Sequence, residues 1–119
     1  MNLYDVKEIL SAEVIAVENE LDREVLSAFG CDLMSDVLAF VNGDTVLLTG
    51  AVNPQVIRTC EVVDIHVIVF VRGKKPSEDL IDLAECADIQ MLGTNYSLYE
   101  TCGILHAAGL HGEEIENDF

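Results

Sequence analysis

The chain has 119 residues, the size of one domain, and half of them are apolar, which is enough for a hydrophobic core. The length excludes a second domain, and the apolar content excludes intrinsic disorder for all but the ends. Six Lys and Arg against 22 Asp and Glu give a formal net charge of -16, the wrong sign for a phosphate backbone or an anionic membrane surface. We therefore expect an acidic globular domain that binds neither nucleic acid nor membrane.

The N-terminus has no basic region followed by an apolar run, and no stretch approaches the ~20 apolar residues of a membrane helix. We expect a cytoplasmic protein. The cysteines are spaced 29, 26 and 16 residues apart without a CxxC pair: Cys31, Cys60, Cys86 and Cys102. This spacing does not resemble a zinc or iron-sulfur site, and a free thiol in apolar surroundings behaves as a small hydrophobe. The sequence therefore predicts four reduced core cysteines, no metal and no cofactor.

Apolar periodicity predicts four elements in the first third of the chain: a helix over residues 3–10, a strand over 13–17, a strand over 25–30 and a helix over 33–41. Asp32 or Ser35 is a candidate N-cap for the second helix, because short polar side chains accept hydrogen bonds from free N–H groups there. The turn at 42–44, Asn-Gly-Asp, ends that helix.

From residue 45 onward a unit of strand, loop and helix repeats three times, with strands over 46–48, 67–70 and 89–92. The strand ends Leu48, Phe70 and Leu92 lie 22 residues apart. Pro54 and Pro76 suit the first turn of a helix, and Asn53 and Ser97 are candidate N-caps. Successive strand-helix-strand units favour parallel pairing with right-handed crossovers. The predicted fold is α/β, with a mostly parallel sheet of about five strands and helices on both faces.

The loops at the carboxyl ends of these strands are the expected place for a ligand, because open α/β sheets bind ligands there. Three of the six basic residues, Arg72, Lys74 and Lys75, fall within four positions of the middle loop. They suit either an anion site or ion pairs with Glu78, Asp79 and other nearby acids. The candidate ligand-binding residues combine glycines, hydroxyls, amides and cations: Thr49, Gly50, Asn53, Arg72, Gly73, Lys74, Thr94 and Asn95.

The sequence contains none of the GxSxG, GxxxxGK[ST], GxGxxG and HExxH signatures. Asp64 and His66 stand two positions apart, as an acid-base pair or as a structural histidine with its hydrogen-bond partner. We expect no catalytic residues and no enzyme activity. We expect one domain over residues 1–112, followed by a solvated and frayed acidic tail over residues 113–119.

Several ordered segments resemble the DRTGG domain family: Leu21-Asp22-Arg23-Glu24-Val25, Met34-Ser35-Asp36-Val37-Leu38, Leu48-Thr49-Gly50, Pro76-Ser77-Glu78 and Thr94-Asn95-Tyr96-Ser97-Leu98-Tyr99-Glu100-Thr101. The match covers about residues 3 to 110. Val52-Asn53 stand where the family has its Asp-Arg pair, and Val71-Arg72-Gly73 replace Thr-Gly-Gly. The segments 53–59 and 69–74 are similar to those of small stand-alone DRTGG-like proteins of anaerobic bacteria, often associated with iron-only hydrogenase clusters.

The resemblance implies a fold similar to the N-terminal domain of HPr kinase and a regulatory, dimerising role. Such domains accompany CBS-domain pyrophosphatases and phosphate acetyltransferases. Two hypotheses follow. The first is a non-enzymatic regulatory or assembly domain that forms a homodimer and acts on a partner protein, in hydrogenase-related metabolism. The alternative is a small-molecule sensor that binds a nucleotide or other phosphate ligand at the strand-end loops.

Overall fold

The computed structural model describes residues 1–41 and 43–113. Within them the helices are α1 (Leu3–Ile9), α2 (Met34–Phe40), α3 (Pro54–Val63), α4 (Glu78–Cys86) and α5 (Leu98–Ala107). The strands are β1 (Glu13–Ala16), β2 (Ser27–Gly30), β3 (Thr45–Thr49), β4 (Val67–Phe70) and β5 (Gln90–Gly93). Each predicted element is present within one or two residues of its expected bounds, except that Asn42 of the predicted turn lies outside the described residues.

The strands form one mixed sheet in the order β1-β5-β4-β3-β2. Strands β2 to β5 are parallel, whereas β1 pairs with β5 in the antiparallel direction. A five-stranded, mostly parallel α/β sheet is therefore confirmed, although it is not purely parallel. The parallel strands are linked by helical crossovers, which fix their direction. Strand β1 is followed along the chain by β2, which lies at the opposite edge of the sheet, so no strand-helix-strand crossover links β1 to its partner β5 and sets its direction.

Helices cover both faces of the sheet. Alternate residues of β4 enter two separate cores, with Ile68 and Phe70 on one side and Val67 and Val69 on the other. The buried apolar residues of α2, α3 and α4 pack in the first core, and those of α1 and α5 pack in the second. Every residue of β4 is buried, as expected for a central parallel strand covered on both sides.

The starts of the helices correct two details of the sequence interpretation. Pro54 is the first residue of α3 and Ser97 caps α5, as predicted. Pro76, however, precedes α4, which begins at Glu78 with Ser77 as its N-cap. The N-cap of α2 is Leu33, without a side-chain hydrogen bond, so neither polar candidate caps that helix. The carboxylate of Asp32 is already bonded to the end of β3, which explains why it does not cap α2.

The four cysteines occupy different environments, and all four are free thiols. Cys60 is buried and Cys31 and Cys102 are half-buried, but Cys86 is exposed on α4. The prediction of four core cysteines is therefore wrong for Cys86, because it lies on the solvent side of an amphipathic helix whose inner face is formed by Leu80 and Ala84.

The segment 110–113 returns along the outer edge of β2. The backbone N–H of Ala28 donates to the carbonyl of His111 at 3.2 Å. Glu113, predicted to begin a solvated tail, is exposed, yet its carboxylate accepts a hydrogen bond from the Thr45 hydroxyl at 2.8 Å. The rest of the predicted tail, residues 114–119, lies outside the described residues. Across the part of the chain that the structure describes, none of the helices has the length and apolar character needed to span a membrane.

Candidate functional site

The loops predicted to carry a ligand site meet at the carboxyl end of the parallel strands. Strand β1 contributes its first residue there, because its antiparallel direction places Glu13 opposite Gly93 of β5. The connections after β4 and β5 are joined by two backbone hydrogen bonds: Arg72 N–H donates to the Tyr96 carbonyl at 2.7 Å, and Gly73 N–H donates to the Thr94 carbonyl at 2.9 Å. These bonds hold the two loops together.

A cavity of about 230 Å³, here called the loop cavity, opens between these loops and the start of β1. Its lining residues are Ser11, Glu13, Gly73, Lys74, Lys75, Gly93, Thr94 and Asn95. Two of them stand where a larger residue would be disfavoured. Gly73 adopts a φ of +67°, which favours glycine, and a Cβ at Gly93 would lie 2.9 Å from Cδ1 of Ile15.

Charges of both signs line the loop cavity. The ammonium of Lys75 lies 3.1 Å from a carboxylate oxygen of Glu13, and both side chains are largely exposed. Lys74 is exposed and forms no ion pair with any residue in 1–41 or 43–113. The basic loop therefore forms no ion pair with Glu78 or Asp79 at the start of α4, which was the alternative prediction. Among the described residues, its one ion pair is with Glu13 of β1.

Arg72 points away from the loop cavity. Its backbone has a φ of +59°, an uncommon conformation for a residue other than glycine. Its guanidinium lies over Gly50, where a Cβ would stand 2.9 Å from Nη2. Arg72 and Lys74, which the sequence grouped in one anion site, are thus separated: Lys74 lines the loop cavity, whereas Arg72 covers the end of β3.

Asp32 is a residue of this region that the sequence interpretation missed. One oxygen of its carboxylate accepts hydrogen bonds from the Gly50 N–H at 2.7 Å and the Thr49 hydroxyl at 3.1 Å. The same oxygen would lie 3.6 Å from a Cβ at Gly50, so Asp32 faces the Arg72 guanidinium across this glycine. The available signal was its position two residues after β2, at the carboxyl end of the sheet, but it was interpreted as a helix cap.

The remaining predicted residues have different roles. The Thr94 hydroxyl is buried and donates to the Leu10 carbonyl at 2.9 Å, so its proton is used within the protein. Asn95 is exposed and lines the loop cavity. Asn53 is the exposed N-cap of α3 and makes no side-chain capping bond. The structure therefore brings Gly73, Lys74, Thr94 and Asn95 together, places Thr49, Gly50 and Arg72 beside them over β3, and does not place Asn53 in the cavity wall.

Other candidate chemistry lies elsewhere. His66 Nε2 is 3.0 Å from a carboxylate oxygen of Asp64, but this pair precedes β4 and so stands at the opposite end of the sheet from the loops. Burial, and secondarily the charge of Glu61, raises the pKa of Cys60 to about 12, and burial also raises the pKa of Cys102. Raised values keep both thiols protonated and poorly nucleophilic. Within residues 1–41 and 43–113, no group of three His, Cys, Asp or Glu side chains is placed to hold a metal.

The geometry defines a class of protein: an open α/β domain whose strand-end loops enclose a small, polar, partly cationic cavity. No family model matches the chain, and no curated protein matches it. Among solved structures it is similar to the CBS and DRTGG domains of the regulatory region of a Clostridium perfringens pyrophosphatase, complexed with the activator diadenosine tetraphosphate. The TM-score is 0.72 at 13% sequence identity, over 98% of this chain and 51% of that one.

This likeness supports the DRTGG-like fold that the sequence suggested. The chain spans about half the length of the pyrophosphatase region that it matches. That region is regulatory and holds a nucleotide activator. At 13% sequence identity, the comparison defines only the fold of the present chain.

Proposed function

We propose that this chain is a non-enzymatic regulatory domain that senses a small phosphate-bearing ligand, a nucleotide or phosphosugar, in the loop cavity. The observation that carries the proposal is the placement of Lys74 and Lys75 in the wall of a cavity built at the carboxyl end of the sheet. Two of the six basic residues of a chain with charge -16 therefore line this one cavity, so the local charge favours an anion where the rest of the surface repels it.

The pyrophosphatase region of similar fold holds a nucleotide activator, which supports a ligand-sensing role for this chain over an enzymatic one. The carboxyl-end position of the cavity supports the same role, because open α/β sheets bind phosphate ligands there.

The test is calorimetric titration of inorganic phosphate and adenosine monophosphate into the wild type, Lys74→Ala and Arg58→Ala. Arg58 is exposed on α3, so its removal changes the net charge equally without touching the loop cavity. A charge-assisted contact contributes ~1.5 to 3 kcal/mol, so Lys74→Ala should weaken binding by roughly tenfold or more and Arg58→Ala by much less. Absence of heat with every phosphate compound, or equal losses in both variants, would refute the proposal.

Arg72→Ala tests how far the ligand extends. Because its guanidinium lies over Gly50 and outside the loop cavity, we expect a smaller loss of affinity than for Lys74→Ala. A loss as large as that of Lys74→Ala would mean that the ligand extends from the loop cavity to the Arg72 guanidinium over Gly50.

A second candidate function is an assembly domain that forms a homodimer and acts on a partner protein. It is favoured by exposed apolar side chains at the two ends of α2: the N-cap Leu33 is 58% exposed, and the last helical residue Phe40 is 48% exposed. Exposed apolar residues of this kind are often covered by a second copy. In this case we expect the protein to act in the cytoplasm. The resemblance noted from the sequence implies a partner protein of hydrogenase-related metabolism and a fold similar to the N-terminal domain of HPr kinase.

Light scattering, which measures the mass in solution, tests whether the chain forms a homodimer. We expect a mass twice that of one chain for the wild type, and a mass of one chain for Leu33→Glu. The control is Val62→Glu, which places the same charge on α3 at a position that is 74% exposed. A wild type that remains a single chain at every accessible concentration rules out the dimer.

A further inference from the structure

The loop cavity is lined by a carboxylate as well as by two ammonium groups, and this combination restricts the ligand. Glu13 begins β1 on one side of the cavity, while Lys74 and Lys75 line the other. The Glu13 carboxylate already pairs with Lys75 at 3.1 Å. A carboxylate beside these cations lowers the positive charge of the site, which disfavours a small, compact anion such as inorganic phosphate.

For a simple anion, Glu13 is a competitor. Inorganic phosphate must displace the carboxylate from Lys75. A protonated phosphate oxygen can donate a hydrogen bond to Glu13, but the two negative charges then repel each other at close range. A ligand that carries hydroxyl groups next to its phosphate binds more tightly because of Glu13, since each uncharged hydroxyl can donate a hydrogen bond to the carboxylate. Acidic residues in dinucleotide-binding folds bind ribose hydroxyls in this way.

The size of the cavity points to the same class. At about 230 Å³ it is smaller than the ~300 to 1,000 Å³ of sites that enclose drug-sized ligands. It can hold one phosphorylated sugar, whereas a dinucleotide polyphosphate would leave most of its atoms outside. The Ser11 hydroxyl and the Asn95 amide add further polar partners to the same wall.

We infer that the loop cavity selects a phosphorylated polyol of single-sugar size, either a free phosphosugar or the ribose phosphate of a mononucleotide, with the phosphate on Lys74 and Lys75 and the hydroxyls on Glu13. This inference rests on the proposed phosphate-binding function and goes further by naming the ligand class and the residue that selects it.

The experiment compares ribose 5-phosphate with inorganic phosphate on the wild type, Glu13→Ala and Glu85→Ala. Glu85 is exposed on α4, and its side chain forms no hydrogen bond or ion pair with the residues that the structure describes, so it controls for the change in net charge. The wild type should bind ribose 5-phosphate at least tenfold more tightly than phosphate. Glu13→Ala should tighten phosphate binding severalfold and bring the two affinities to within about threefold of each other, whereas Glu85→Ala should keep the wild-type ratio.

Three outcomes separate the two claims. If phosphate binds and ribose 5-phosphate binds no more tightly, the ligand class is wrong while the phosphate-binding function stands. If Glu13→Ala weakens both ligands equally, Glu13 supports the cavity and does not select the ligand, which also overturns the inference. If no phosphate compound binds the wild type, the proposed function itself fails. Adenosine monophosphate in a parallel titration distinguishes a free sugar from a nucleotide, and diadenosine tetraphosphate binding as tightly as ribose 5-phosphate would contradict the size argument.

Discussion

Replacing Gly30 by alanine tests how tightly α5 packs on the end of β2. A Cβ at Gly30 would lie 2.5 Å from the sulfur of Cys102 and 3.5 Å from Cδ1 of Leu98. Real Cβ atoms do not approach a sulfur so closely, so either the Cys102 side chain must rotate or α5 must shift. Overpacking of this kind costs ~1 to 3 kcal/mol, whereas the lower entropy of an unfolded chain with alanine returns ~0.4 to 1 kcal/mol. We expect Gly30→Ala to lower the free energy of unfolding by about 1 to 2 kcal/mol.

Urea and thermal denaturation measure this effect, and about 2 kcal/mol corresponds to a Tm lower by roughly 8 °C at this chain length. Cys102→Ala removes the clashing sulfur, so the double variant should lose less stability than the sum of the two single variants, by about 1 kcal/mol or more. Gly103→Ala is the matched control. A Cβ there meets nothing within 4 Å in the middle of α5, and alanine should stabilise the helix by ~0.5 to 1 kcal/mol. An unchanged Tm for Gly30→Ala, or strict additivity in the double variant, would show that the packing is looser than described.

Three further predictions concern the thiols, Asp32 and the cap of α5. In the native protein at pH 8 a thiol reagent should modify the exposed Cys86 first and Cys60 last, because burial raises the Cys60 pKa to about 12. Mass spectrometry of partly labelled protein measures the order of modification, and early labelling of Cys60 would contradict the prediction. Asp32→Ala should destabilise the fold by ~1 to 3 kcal/mol in chemical denaturation, since the Gly50 N–H loses its acceptor; a neutral effect would mean that water replaces the carboxylate. Ser97→Ala should cost ~1 kcal/mol by removing the cap of α5, and an unchanged midpoint would count against that cap.

Most of the fold was predictable from the sequence because apolar periodicity reports burial. The central strands are apolar throughout and covered on both faces, so runs such as Val67–Phe70 were recognisable without knowledge of their neighbours. The antiparallel direction of β1 was not predictable, because direction depends on which strand it pairs with and the alternation in Glu13–Ala16 is the same either way.

The candidate site was predicted less well than the fold, for reasons of backbone geometry. In an extended chain Arg72 and Lys74 would point to the same side. Two consecutive left-handed residues, Arg72 and Gly73, turn the backbone between them instead. Asp32 was missed because an aspartate oxygen accepts from any nearby N–H, and the end of β3 is close only after folding. Loop composition therefore indicated which loops meet at one end of the sheet, without showing which side chains share a cavity.

The segment 110–113 beside β2 has a consequence for how copies of this domain can associate. Because the Ala28 N–H is already bonded to the His111 carbonyl, a second chain cannot simply add a strand along that border. A continuous sheet across two subunits would first require residues 110–113 to detach, with loss of the Thr45 to Glu113 hydrogen bond. The segment thus opposes strand addition at β2, which is a frequent route to aggregation. An assembly that keeps residues 110–113 in place must use helical surfaces or the opposite edge strand, β1.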